Sequence, residues 1–132
     1  MLFDRGYRLA LVADGPRATF ENILQQHELW DHFETHTISG DVGVLKPDYK
    51  MFETAMSSLG LVSADAPNIV MVGNNLERDI KGANGAGHKS IFHKWTERRN
   101  VVPVDASEEP TRTIRSLHEL VSSIEQIELS LS

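Results

Sequence analysis

The chain has 132 residues and a mass of 14.8 kDa, the size of one ordinary domain, and its 40% hydrophobic and 24% charged content excludes wholesale disorder and collagen-like repetition. Thirteen Lys and Arg against nineteen Asp and Glu leave a formal charge of −6, which opposes a nucleic-acid partner because phosphate neutralisation drives such binding. The absence of cysteine excludes disulfides, thiolate nucleophiles and Cys-based zinc sites. No apolar run approaches the ~20 residues of a bilayer span, and the first residues lack a signal peptide's apolar centre, so a cytoplasmic protein without a membrane partner is expected.

Short apolar runs alternate with helical patterns, which predicts α/β units feeding a parallel sheet covered by helices. Leu9 to Ala13 reads as a buried strand stopping at Asp14-Gly15-Pro16, and a helix follows with Phe20, Ile23, Leu24 and His27 on one face. Trp30 and Phe33 are expected to seal the end of that helix, and His32 and His36 to lie at the surface. A short run at His36-Thr37-Ile38-Ser39 precedes a loop, Gly40 to Leu45, leading into Lys46-Pro47-Asp48. Asp48 is placed to N-cap a helix whose Phe52, Ala55, Met56 and Leu59 recur at helical spacing, with Gly60 as its stop.

Asn68 to Gly73 is the clearest strand, Asn74-Asn75 turn into a helix through Asp79, Ile80 and Ala83 to Gly87, and Lys89 to His93 is another strand. From Trp95 to Thr113 the chain is polar and irregular, with Glu108-Glu109 as a solvated loop and a short strand near Thr113-Ile114-Arg115. Ser116-x-x-Glu119 is a capping box opening a last helix with Leu117, Leu120, Val121, Ile124 and Ile127 on its buried side. No internal boundary is marked, so residues 1–132 are expected to form a single domain.

In an open parallel sheet, ligands bind beyond the carboxyl ends of the strands. Three corners qualify: Ala13-Asp14-Gly15, Lys46-Pro47-Asp48, and Gly73 to Asp79. A lysine to hold charge, a carboxylate to hold metal and backbone N–H groups to hold oxygens are the parts of a phosphate-plus-Mg²⁺ site. The same residues have plainer readings. Lys46 is also a solvated residue before a proline, Asn74 and Asn75 are turn formers, and Asp79 complements a helix dipole or orients Lys46 through an ion pair. Gly82-x-x-Gly85-x-Gly87 does not directly follow a strand, so helix packing and capping explain it better than a dinucleotide loop.

The order and spacing of these segments resemble the haloacid dehalogenase (HAD) superfamily over nearly the whole chain. Leu9 to Gly15 resembles the family's second motif, a hydrophobic strand ending in Thr or Ser. Gly43-Val44-Leu45-Lys46-Pro47-Asp48 resembles the third, and Val72 to Gly87, with Asn74 and Asp79, resembles the fourth. The resemblance implies a three-layer, Rossmann-like parallel sheet with helices on both faces, and phosphatase-type hydrolysis of a small phosphorylated metabolite with Mg²⁺ as cofactor. It assigns Lys46 the catalytic role of neutralising a phospho-aspartate. Phosphate binding falls to Lys46 and the backbone of Ala13 and Asp14, and metal binding to Asn74 and Asp79.

The departures are specific. The family's nucleophile lies in Asp-x-Asp-Gly, which this sequence does not contain. Ala13 replaces the motif's hydroxyl, and Asn74 replaces a metal-binding Asp, offering an oxygen without charge and weakening the expected metal affinity. The chain is therefore expected to begin in the helix before the second strand, with Phe3 to Tyr7 as its end, to lack the nucleophile strand and cap, and to be inactive alone. In the resembled fold the missing strand is central. Its slot is expected to close up or to be filled by a second copy of the chain or a separately supplied N-terminal fragment. The alternative, favoured by Ala13 and Asn74, is a non-catalytic, degenerate module that binds its own twin or a protein partner.

Overall fold

The computed structural model describes residues 2–96 and 100–131, and these gather into two units that meet in sequence at Val62 and Ser63, where no boundary is marked by composition. The first unit opens with a 3-10 turn, Phe3–Arg5, and continues through β1 (Ala10–Ala13), α1 (Arg17–Gln26), a 3-10 turn (Trp30–His32), β2 (Thr35–Ile38), α2 (Ser39–Val42) and α3 (Tyr49–Ser58). β1 and β2 pair in parallel from Ala10 opposite Thr35 to Ala13 opposite Ile38, and α1 is the crossover that a parallel pair requires. Ile38, Met51, Phe52, Ala55 and Met56 are its buried apolar centre.

α3 forms as its sequence dictates. Asp48 caps it by accepting from the Lys50 amide at 2.9 Å. Gly60, at φ 74°, ends it in a Schellman turn, with Leu61 N–H on the Met56 carbonyl at 2.9 Å and Gly60 N–H on that of Ser57 at 3.0 Å. Arg8 pairs with Glu34 and donates to the Leu59 carbonyl at 2.8 Å.

Two expectations change here. The helical face of α1 is only partly covered, with Phe20 and Leu24 half-buried and Ile23 50% exposed, because helical spacing sets direction and not the presence of a neighbour. The loop after β2 coils at once into α2, which ends at Gly43 with φ 94°. Trp30 also meets the first residue of α1: the Arg17 guanidinium lies 5.7 Å from its ring while bonding Asp41 at 2.8 Å. On its other side Trp30 stacks on His36 at 3.6 Å, and His36 Nε2 meets the Trp30 carbonyl at 2.9 Å.

The second unit runs through a 3-10 turn (Ser63–Asn68), β3 (Val70–Gly73), a π-helical turn (Leu76–Ile80), α4 (Lys81–Gly85), β4 (Lys89–His93), a 3-10 turn (Ala106–Glu108), β5 (Arg112–Ile114), a 3-10 turn (Leu117–Glu119) and α5 (Leu120–Leu131). Its sheet is parallel, in the order β3-β4-β5. β4, paired on both edges, buries Ser90, Ile91 and Phe92, and Phe92 packs with Leu76, Ile80 and Val101. α4 also stops in a Schellman turn, at Gly87, with His88 N–H on the Ala83 carbonyl at 2.9 Å and Gly87 N–H on that of Asn84 at 3.1 Å. Burial of His88 holds its pKa below the usual histidine value.

The capping box forms: Ser116 Oγ accepts from His118 N–H at 3.2 Å, and Glu119 Oε2 accepts from Ser116 N–H at 2.9 Å and Arg115 N–H at 2.8 Å. Those amides, Arg115's first, hold the Glu119 carboxyl below its ordinary range. Leu117, expected in the buried row, sits in the 3-10 turn before α5 and is 51% exposed, while Leu120, Ile124 and Ile127 are buried. Glu108 departs further from expectation. It is 4% exposed, accepting from Val104 N–H at 3.3 Å, so the Glu108-Glu109 pair is not simply solvated. Asn84 explains the local order: it accepts from the fully buried Ser90 hydroxyl at 2.9 Å and donates to the Ser107 and Glu109 carbonyls at 3.0 and 2.8 Å.

Candidate functional site

In the first unit the structure brings together Ala13, Asp14 and Lys46. Lys46 N–H donates to Asp14 Oδ1 at 3.0 Å, and Lys46 Nζ donates to the Val12 carbonyl at 3.1 Å, so the lysine is fastened at its main chain and its tip to the last turn of β1. Ala13 is buried and takes the end position of the strand. Gly15 continues the corner at φ 145°. Its N–H donates to Ser39 Oγ at 2.7 Å, and its carbonyl accepts from Gly40 N–H at 3.0 Å. An added Cβ at Gly40 would meet that carbonyl at 2.9 Å, so the two turns approach as closely as glycine permits. Ser39 is not among the residues singled out from sequence. Its signal is its place: a buried polar residue directly after the carboxyl end of β2.

In the second unit Asn74 and Asp79 stand together at the end of β3. The Asp79 side chain is 6% exposed, and its Oδ2 accepts from Asn74 N–H at 3.1 Å and Asn75 N–H at 3.2 Å. Asn75 caps the following turn, Oδ1 accepting from Arg78 N–H at 3.0 Å. Gly73 is required here: a Cβ on it would fall on the Cβ, Cγ and Oδ2 of Asp79. Beside this turn lies a cleft of about 550 Å³ bordered by Asn75, Glu77, Lys81, Val104 and Glu108. Lys81 and Glu108 carry charge to it, and no motif in the sequence marks them. Lys46 and Asp79 belong to different units, and each is fixed by its own unit's backbone.

The donor set at β3 suits Mg²⁺ in kind, since carboxylate and amide oxygens are hard ligands. It supplies one charge, and Asp79 Oδ2 already serves two amides. No cluster of three His, Asp or Glu suited to a metal occurs among the described residues. Asn74 and Asp79 offer hard oxygens, and by themselves they are too few to complete a magnesium shell.

The haloacid dehalogenase-like hydrolase model matches residues 1–93. The chain belongs to that family. It is 33% identical over 116 residues to a phosphoserine phosphatase of Thermus thermophilus, covering 88% of this chain and 44% of the relative. To a glyceraldehyde 3-phosphate phosphatase of Pyrococcus abyssi it is 39% identical over 95 residues, covering 71% and 38%. A HAD phosphatase from Thermococcus onnurineus superposes with a TM-score of 0.77 at 29% identity, over 93% of this chain and 53% of that one. YfnB of Bacillus subtilis, described as a HAD-hydrolase bound to magnesium, gives 0.79 at 25% identity over the same shares. The fold class is α/β, Rossmann-like, as expected. The chain spans about half the length, or less, of these relatives.

Proposed function

We propose that residues 1–132 are one share of a HAD phosphatase core domain acting on a small phosphorylated metabolite. The observation that supports this most is the double attachment of Lys46 to the end of β1. An ammonium held at a strand end, beside backbone N–H groups of a tight turn, is suited to a phosphoryl oxygen. In this reading Lys46 neutralises the charge that develops on the transferring phosphoryl group. The amides around Ala13 and Asp14 hold its oxygens, without the hydroxyl that Ala13 lacks. Asn74 and Asp79 hold Mg²⁺, which when bound neutralises phosphate charge. The attacking carboxylate comes from outside this chain, on a separately supplied N-terminal segment. The family membership, the phosphatase relatives and the magnesium bound by YfnB support the reading. The reading includes a cytoplasmic setting without membrane or nucleic-acid partners, the net charge of −6 opposing a polyanion.

The test is hydrolysis of p-nitrophenyl phosphate with Mg²⁺ by the purified chain, alone and mixed with a segment carrying Asp-x-Asp-Gly. The chain alone is expected to be inactive, and the mixture active, with Lys46→Ala lowering its rate by about 10²-fold or more. Turnover by the chain alone that Lys46→Ala abolishes overturns the external nucleophile. A second reading, a non-catalytic module that pairs with itself or a partner, is favoured by Ala13 and Asn74. It requires a dimer or complex in solution and no turnover in the mixture.

A further inference from the structure

Asp14 carries its negative charge at a corner proposed to receive an anion, which is unfavourable unless the carboxylate has other work. The structure gives it some: Oδ1 accepts the main-chain N–H of Lys46, 32 residues away, at 3.0 Å. The Lys46 tip reaches the Val12 carbonyl at 3.1 Å, so residues 12 and 14 grip the lysine from both ends. A side chain with four rotatable bonds has considerable freedom, and fixing its stem removes much of the uncertainty in where its ammonium stands. Lys46 comes from the stretch between α2 and α3, which this bond ties to β1. The Ser39 and Gly40 contacts to Gly15 tie the start of α2 to the turn after β1, so the corner is stitched at two points.

We infer that Asp14 is a positioning residue for Lys46: its side chain orders the lysine's main chain at the mouth of β1 and does not itself hold the anion. This rests on the phosphate reading above for its purpose, though not for its geometry. What Asp14 supplies to the Lys46 amide is an acceptor oxygen. An amide side chain of the same shape retains such an oxygen, and alanine does not.

The experiment uses the 132-residue chain labelled with ¹⁵N and with ¹³C at lysine Cε, as wild type, Asp14→Asn, Asp14→Ala and Lys46→Ala, each titrated with inorganic phosphate and followed by NMR. In Asp14→Ala the Lys46 amide proton is expected to move upfield and exchange faster with water, and in Asp14→Asn to stay near its wild-type position. Phosphate affinity is expected to fall about five- to tenfold in Asp14→Ala, to hold or rise in Asp14→Asn, whose anion repulsion is gone, and to vanish in Lys46→Ala. An unchanged Lys46 amide in Asp14→Ala overturns the positioning role, as does a loss in Asp14→Asn equal to that in Asp14→Ala. If wild type gives no phosphate response at residues 13–15 and at Lys46 Cε, the phosphate reading fails while the amide comparison still decides the role of Asp14. Should Asp14→Ala not fold, Asp14→Ser, too short to reach the amide, takes its place in the same comparison.

Discussion

Two carboxylates stand at two strand ends and do the same chemistry at different range. Asp79 accepts the amides of Asn74 and Asn75, five and four residues before it, and so closes its own turn. Asp14 accepts the amide of Lys46, 32 residues later, and so joins two segments. The first bond needs only local chain, and the second joins residues that are 32 apart in sequence. The β3 turn is thus a self-contained device, whereas the β1 corner depends on its unit's tertiary structure.

Gly73→Ala strikes the local device hardest. The new Cβ has no room beside Asp79, and moving that carboxylate strips two amides of their acceptor, so a loss of about 3 kcal/mol or more is expected in urea denaturation. Asp79→Ala removes the acceptor without the clash and is expected to cost about 2–3 kcal/mol. Asp79→Asn, which keeps an oxygen, should recover part of that. At the β1 corner the losses are smaller: about 1–2 kcal/mol for Gly40→Ala, whose Cβ crowds the Gly15 carbonyl, and about 1 kcal/mol for Asp14→Ala. Equal losses from Asp79→Ala and Asp14→Ala would erase the distinction between the two corners.

Acid sharpens the comparison further. His88, in the second unit, has a folded-state pKa lowered by burial from 6.5, so the unfolded chain binds its proton first. Its contribution is intact above pH 6.5 and is lost as pH falls from there through the folded value. Glu119, lowered from 4.5, and Glu34, lowered from 4.5 by Arg8, act the same way in a more acidic window, and both are exposed and add little. The urea midpoint should therefore drop between pH 7.5 and 5.5. In His88→Gln that dependence should largely disappear, and its persistence would assign the effect elsewhere.

What was legible in the sequence is what the chain settles locally. β3, β4, the Asp48 cap, the Ser116–Glu119 box and the stops at Gly60 and Gly87 follow from apolar runs and from polar atoms within a few residues of the amides they satisfy. The family's motif order was legible too, because it lies in residue identity. Less legible was whatever depends on distant partners. The partial cover of α1, the burial of Glu108 beside Val104 and the grip of Asp14 on Lys46 leave no periodic trace. The π-helical turn at Leu76–Ile80 reads from sequence as ordinary helix, since one wider turn does not disturb the apolar spacing.

Arg8 adds a final point about redundancy. Its guanidinium serves the Leu59 carbonyl at the finish of α3, and Gly60 terminates the same helix by its own backbone. Two spellings of one full stop, one of them reaching back across fifty-one residues, hold the last turn of α3 from side chain and backbone at once, so the loss of either still leaves the other in place.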